Sequence, residues 1–274
     1  MAEFYNRTRR SASISGKLLR SGRVLEVPIY WLLQMSDLAR EGFENSGSYR
    51  FSDHIYENRP SGSYGIGRWL DSCLLKMPAV RAFRARYFRT RDELAHFFRQ
   101  RVGGAKTVDV ASVPCGIPRD LVSAAENYRA DGGDLTKIRL HAIDLDPQVL
   151  TEAIEFANRS SVVLLSHQGD ALDISTYAGS FDFITSTGFG EFLDDEKLAR
   201  LYSIFYEVLR PGGVMVTSAM RRTPVAGYLL DLAELRVHYR SAEAIAALAR
   251  AAGFPHTETS YDRSAIQGFL KATK

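Results

Sequence analysis

From about Lys106 onward, short apolar runs alternate with amphipathic segments. The runs TVDVASV, IRLHAID, SVVLLSH, FDFITST and GVMVTSA are each short enough to be strands buried on both faces of a sheet. Between them, RDLVSAAENYRA, PQVLTEAIEFANR and DEKLARLYSIFYEVLR carry apolar residues at helical spacing. The second of these opens with Asp146 as an N-cap and Pro147 at the first helical position, and the third stops at Pro211-Gly212-Gly213. Such alternation predicts βαβ crossovers and a mostly parallel α/β sheet with helices on both faces. AEAIAALARAAGF reads as a further helix closed by Gly253, followed by two final strands near HTETSYD and IQGFLKAT.

The first hundred residues have a different pattern. VLEVPIYWLLQMSDLAREGF and RDELAHFFRQRV predict helices, and ENRPSGSYGIG between them is rich in turn formers and predicts a loop. No strand alternation and no internal repeat occurs there. The expected organisation is a helical N-terminal region, residues 1–100, packed on or over an α/β domain, residues 101–274.

Composition narrows the function classes. With 45% hydrophobic and 24% charged residues in 274, the chain suits a globular protein with a sizeable core. A formal net charge of +3 gives no reason to expect nucleic acid or an acidic membrane as partner. Cys73 and Cys115 are far apart and lack a neighbouring histidine cluster, so neither a disulfide framework nor a metal site is expected. The stretch MAEFYNRTRRSASISGKLLRSGRV lacks the apolar core of a signal peptide, and no apolar run approaches membrane-spanning length, so a cytoplasmic location is expected. The run RAFRARYFRTR holds Arg81, Arg84, Arg86, Arg89 and Arg91 and reads either as a nucleic-acid surface or as an exposed helix with solvated or paired charges. The second reading is preferred, because the rest of the chain adds no strong basic excess.

Ligands of open parallel sheets bind outside the C-terminal ends of the strands, so those ends carry the candidate chemistry. TVDVASV runs into Pro114-Cys115-Gly116, where proline ends ladder pairing and glycine lets backbone approach a ligand, and a helix starting near Arg119 presents unpaired N–H groups. The second strand places Asp144, followed by Leu145, where a carboxylate can accept from both hydroxyls of a ribose. The third places Asp170, followed by Ala171, where a carboxylate can accept from an adenine amino group. The fourth ends in Ser186, Thr187 and Gly188, a small, close-packed floor. Each aspartate taken singly is a common turn or capping residue. Their recurrence at successive strand ends points to a ligand.

The ordered set VDVASVPCGIPRDL, HAIDLDPQVL, HQGDALD, FDFITSTGFGEFL and EVLRPGGVMVTSAM resembles the class I S-adenosylmethionine-dependent methyltransferases over about residues 106 to 220. The later HYRSAEAIAALARAAGF resembles that family's penultimate helix. The resemblance implies a Rossmann-like seven-stranded sheet with a reversed final hairpin, S-adenosylmethionine as cofactor and S-adenosylhomocysteine as product. Two positions depart from the family pattern: Ser112 falls near the usual acidic residue, and Pro118 replaces the last glycine of the loop. The methionine end of the cofactor is then expected to rest on Cys115 and Gly116 backbone groups with a residue of the N-terminal region, and Arg119 is a further contributor or a solvated first-turn residue. A nicotinamide dehydrogenase would need a G-x-G-x-x-G loop, which PCGIPRD does not supply.

Methyl transfer is an in-line displacement driven chiefly by alignment, with a base helpful for a hydroxyl or protonated amine. His238, Glu191 and His54 are candidate bases, and Tyr64 is a catalytic positioning candidate. Tyr56, Arg59 and Trp69 are the substrate-binding candidates, in a region able to form a lid. The expected function is methyl transfer to a small-molecule acceptor, such as a specialised metabolite with an aromatic or apolar part. The alternatives are a nucleic-acid methyltransferase and a non-catalytic adenosyl-binding interaction protein. The chain is expected to be a monomer or homodimer without membrane or nucleic-acid partners.

Overall fold

The computed structural model describes residues 11–44, 49–102, 107–232 and 235–274, with side chains from 14 onward. Residues 1–10, on which part of the signal-peptide reading rests, and Lys106 lie outside the described residues. The chain divides into two compact units, one formed by Met1–Arg84 with Thr223–Arg236 and the other by Ala85–Arg222 with Val237–Lys274.

The second unit is built on a seven-stranded sheet. In chain order its strands are β1 (Val108–Ser112), β2 (Ile138–Asp144), β3 (Leu164–Gln168), β4 (Phe181–Ser186), β5 (Leu209–Met220), β6 (His256–Tyr261) and β7 (Gln267–Thr273). Their spatial order is β3-β2-β1-β4-β5-β7-β6. The first five pair in parallel, and β7 runs antiparallel between β5 and β6. The order reverses at β1/β4, the place where open α/β sheets take their ligands. Helices α7 (Arg119–Ala130), α8 (Pro147–Arg159), α9 (Asp195–Val208) and α11 (Ala242–Ala251) connect the strands. Every residue of β1 and β4 is buried, as expected for central strands covered on both faces. Ile184, Leu198, Leu201, Phe205, Met215, Ala246 and Leu270 belong to one continuous core.

Not every strand is covered on both faces. β3 and β6 are sheet edges and stay largely exposed, β3 with only Leu164 buried. The expectation of burial on both faces therefore fails for SVVLLSH. The predicted third helix also ends early, at Val208, and Pro211-Gly212-Gly213 lies inside β5. There the Gly212 N–H donates to the Lys274 carbonyl and the Lys274 N–H to the Gly213 carbonyl, so the turn formers are held by the neighbouring chain end as an irregular strand. The pairing of β4 with β5 shifts register between Phe181 and Phe183.

The first unit contains α1 (Ser11–Arg20), α2 (Glu26–Leu33), α3 (Asp37–Glu44), α4 (Tyr49–Glu57), α5 (Tyr64–Leu75) and α10 (Pro224–Leu232), and the unit boundary falls within α6 (Pro78–Arg101). The single helix predicted from VLEVPIYWLLQMSDLAREGF is split at Ser36. Buried Asp71 causes the break: its Oδ1 accepts from the Ser36 hydroxyl at 2.6 Å and from the Leu38 N–H at 2.8 Å, which caps α3. Its Oδ2 accepts from the Ser61 N–H at 3.1 Å and faces His54 Nε2 at 3.0 Å. Asp71 thus joins α3, α4, α5 and the RPSG segment. Gly62 and Gly67 lie so close to the Met35 carbonyl oxygen that a Cβ would approach it to 2.7 and 2.2 Å. The end of the predicted loop is accordingly the first turn of α5. Among the described residues no helix is long and apolar enough to cross a membrane.

Candidate functional site

The loop after β1 stays tied to both neighbouring strands. The Val113 N–H donates to the Thr185 carbonyl of β4 at 2.9 Å, and the Cys115 N–H donates to the Ile143 carbonyl of β2 at 2.8 Å. Pro114, without an N–H, lies between them. Gly116 takes a positive φ of 51° and donates its N–H to Asp144 Oδ2 at 3.2 Å, while Asp144 Oδ1 accepts from the Asp146 N–H at 3.1 Å. Asp144 is 3% exposed and has no cationic partner among the described residues. Burial pushes its carboxyl above the usual carboxylate range, with the Asp146 and Gly116 N–H groups acting in the opposite direction. Burial, reinforced by Asp144, also pushes the Cys115 thiol well up. A thiol so disposed is a neutral wall and not a nucleophile.

The next two strand ends join this cluster. The Gly169 N–H donates to the Asp144 carbonyl at 3.0 Å, which fixes Asp170 beside the end of β2. Asp170 Oδ1 accepts from the Leu172 N–H at 2.8 Å, the Ala171 carbonyl accepts from the Tyr177 hydroxyl at 2.8 Å, and the Leu145 carbonyl accepts from Gln168 Nε2 at 3.4 Å. At the end of β4 the hydroxyls of Thr185 and Ser186 are buried without a hydrogen-bond partner among the described residues. Thr187 is half-buried, and Gly188 at φ 86° donates its N–H to the Ser218 hydroxyl at 3.1 Å. A Cβ on Gly188 would fall 2.1 Å from Arg86 Nη1.

Arg86 and Asp120 escaped the sequence reading. Arg86 is 3% exposed, and its Nη1 lies 3.8 Å from Glu191 Oε2. The Glu191 carboxylate is also approached by Gln267 Nε2 at 3.3 Å and the Ser218 hydroxyl at 3.5 Å. Burial pushes the Asp120 carboxyl up, while the Leu121 N–H and the charge of Arg86 act downward. A buried guanidinium facing Glu191 and acting on Asp120 is well suited to an anionic or zwitterionic ligand. A periodicity signal for Arg86 exists: Ala82, Arg86, Thr90 and Leu94 recur every four residues and all are buried, so Arg86 occupies the apolar stripe of α6. The other arginines of the run scatter around the helix. Arg84 donates to the Ile55 and Leu75 carbonyls, Arg89 pairs with Glu93, and Arg91 pairs with Asp92 and lies over Phe88. They do not form one basic face.

His238 and Arg119 also belong to the second unit. The His238 side chain is exposed, although its N–H donates to the Glu191 carbonyl at 2.7 Å. The Arg119 guanidinium lies over the Phe156 ring at 4.8 Å. In the first unit, Tyr56 packs against Phe83 with ring centroids 5.7 Å apart, Arg59 is exposed, and Tyr64 and Trp69 are 86% and 64% exposed. The hydrogen bond to Asp71 pushes His54 up.

The sheet order with its antiparallel β7 and the converging strand ends define a class I S-adenosylmethionine-dependent methyltransferase fold. The profile of the methyltransferase domain family matches residues 110–213, the segment from β1 into β5, in line with the resemblance carried by the sequence motifs. The chain is similar in structure to a possible exported protein from Bordetella parapertussis, with a TM-score of 0.76 and 23% identity over 97% of this chain and 94% of that one. It also resembles the S-adenosylmethionine-dependent methyltransferase SibL, with a TM-score of 0.55 and 15% identity over 94% and 76% of the two chains. Magnesium protoporphyrin IX methyltransferase from Synechocystis, with bound S-adenosylhomocysteine, gives a TM-score of 0.57 and 13% identity over 87% and 100%. Comparison with curated proteins by sequence gave no match.

Proposed function

We propose that the chain transfers a methyl group from S-adenosylmethionine to a small-molecule acceptor with an aromatic or apolar part. The observation that carries this reading is Asp144, a carboxylate buried at the end of β2, without a cation among the described residues and bonded to the Gly116 N–H. A buried acid of that kind calls for donors from outside the chain, and a pair of ribose hydroxyls fits. Asp170 beside it suits an adenine amino group, Leu145 and Ala171 flank the base, and the orphan Ser186 hydroxyl with Thr187 and Gly188 forms the floor. Pro114 and Cys115 close the wall, and Arg86 suits the carboxylate at the amino-acid end, where Asp120 suits the ammonium.

When bound, S-adenosylmethionine supplies a sulfonium-activated methyl carbon. The chain's part is alignment, which in favourable intramolecular systems amounts to about 7–11 kcal/mol. In this reading Glu191 is a positioning residue for Arg86, because its carboxylate is already engaged. His238 stands as proton acceptor for an acceptor hydroxyl or amine, with Tyr64 as a positioning group. The helical region of residues 1–100 serves acceptor binding, with Tyr56, Arg59 and Trp69, and a cytoplasmic, metal-independent enzyme goes with it. Pro118 in place of the usual glycine favours one second reading, an adenosyl-binding protein without turnover.

Calorimetric titration with S-adenosylmethionine, S-adenosylhomocysteine and NAD tests the reading. Saturable binding of the two adenosyl-amino acid ligands and none of NAD is expected, followed by turnover in an acceptor screen. Absence of binding by folded protein would overturn it, and binding without turnover would select the second reading.

A further inference from the structure

Helix α2, EVPIYWLL, has one charged residue and two apolar faces. One face is accounted for: Tyr30 is buried, and Val27 and Leu33 pack with it against Ile14, Leu18, Phe43 and Leu232 in the core of the first unit. The opposite face carries Leu25, just before the helix, then Pro28, Ile29 and Leu32, spaced i, i+3, i+4 and i+7, and all are exposed. Leu25 is 87%, Ile29 45% and Leu32 47% exposed, with Trp31 at their side 59% exposed. Leu19 and Val24 extend the patch from the end of α1. A helix apolar on both faces belongs in a covered setting, and an open surface of this size marks an interaction site.

Charge selects the occupant. Residues 1–33 contain six basic residues (Arg7, Arg9, Arg10, Lys17, Arg20 and Arg23) against two acids (Glu3 and Glu26), a surplus of four in a chain whose whole surplus is three. The acid on α2 itself is engaged: Glu26 accepts two bonds of 2.6 Å from Arg23 and one of 3.2 Å from the Tyr228 hydroxyl. Lys17 and Arg20 are exposed at the turn of α1 nearest in sequence to the patch. A second copy of the chain would bring this same basic segment against itself. An anionic bilayer surface complements it and accepts the apolar stripe and Trp31 at headgroup depth. Eight residues of helix are only about 12 Å long, enough to lie in an interface and too short to span one.

We propose that α2 and the end of α1 form a membrane-surface docking face for anionic lipid. The small net charge of the whole chain conceals it, because residues 34–274 balance about evenly, with 29 basic against 30 acidic residues. The proposal does not depend on the methyltransferase reading.

The test is flotation of the full chain with phosphatidylcholine vesicles, with and without about a third phosphatidylglycerol. The chain is expected to float with the anionic vesicles only and to be released by salt. Ile29→Ser with Leu32→Ser should weaken binding at least about tenfold. Arg20→Gln should weaken it about fivefold. Because these side chains are exposed, the thermal melts of both variants should match the wild type. Failure to float, equal flotation with neutral vesicles, or equal binding by the apolar variant would each overturn the proposal. A dimer in light scattering that Ile29→Ser with Leu32→Ser converts to monomer would instead assign the face to a second copy.

Discussion

The two ends of the central sheet treat buried charge in opposite ways. At the end where β1, β2 and β4 begin, Asp109 Oδ2 accepts from Arg139 at 2.6 Å and from Arg210 at 2.8 Å, while Oδ1 faces His141 Nε2 at 3.1 Å. Its own N–H donates to Asp182 at 3.0 Å, and Asp182 pairs with Arg210 as well. If His141 donates its Nε2 hydrogen to Asp109, its Nδ1 accepts from His167 Nε2 at 3.0 Å. Burial would raise the Asp109 carboxyl, yet the bonds from Arg139, Arg210 and His141 hold it below the usual range. At the other end, burial leaves Asp144 and Asp120 raised. The first end is complete within the protein and serves stability. In the proposed reading the second is completed by a ligand, as expected where function displaces stability at a site.

Removing the central acid at each end should separate the two roles most sharply. Asp109→Ala takes the buried acceptor from the partly exposed Arg139 and Arg210, of which Arg210 keeps Asp182, and a loss of about 1.5–3 kcal/mol in urea unfolding is expected. S-adenosylmethionine affinity of the folded variant should stay unchanged in calorimetry. Asp144→Ala should do the reverse. Loss of charge-assisted bonds to two hydroxyls should cost about 1.5–3 kcal/mol, a fall of about 10- to 100-fold in affinity. Its melting temperature should hold or rise, since an uncompensated buried carboxylate is gone. Collapse of the Asp144 variant with intact binding, or loss of binding in a stable Asp109 variant, would invert the assignment.

Gly188→Ala probes the ligand end more gently. The new Cβ would need the place of the Arg86 guanidinium and a φ of 86°, which costs a non-glycine residue about 1–2 kcal/mol. Displacement of Arg86 should lower affinity for S-adenosylmethionine about tenfold. Affinity for adenosine, which has no carboxylate to lose, should change much less. An equal loss for both ligands would remove Arg86 from the amino-acid end.

These contrasts also show what a sequence can carry. Strand–helix alternation and the Asp146-Pro147 start of α8 are local, and both were legible: Asp146 caps α8 by accepting from the Gln148 N–H. The acids at the strand ends were legible because the βαβ connection forces each strand to finish on the same side. Arg86 was not, because its run of arginines looks uniformly polar until the four-residue spacing with Ala82, Thr90 and Leu94 is weighed. Nor was the break between α2 and α3, which depends on Asp71 reaching Ser36 and Leu38 from 33–35 residues away. Pro211-Gly212-Gly213 was misread for a related reason: the pairing that keeps it in β5 comes from Lys274 at the far end of the chain.

The smallest expected effect is a difference in sign with pH. Asp109 has a depressed folded value, so its stabilisation is present above its ordinary value of about 3.9 and fades as pH falls through the folded one. Burial lowers His141, so the folded state resists its protonation and loses stability below about pH 6.5. Asp144 runs the other way. Its raised folded value means that the folded state takes up a proton before the unfolded chain does, and stability rises as pH falls toward about 3.9. Asp144→Asn should therefore be more stable than the wild type near neutrality, and the gap should close on acidification as the wild-type carboxyl becomes neutral. Asp109→Asn should be less stable near neutrality, and its deficit should also shrink in acid. Thermal melts without ligand read these slopes, from about pH 7 to pH 4 for the Asp144 variant and on down to about pH 2 for the Asp109 variant. Opposite signs near neutrality would establish that one end of the sheet is paired and the other strained, whereas equal signs would mean that Asp144 is compensated within the chain and has no need of a ligand.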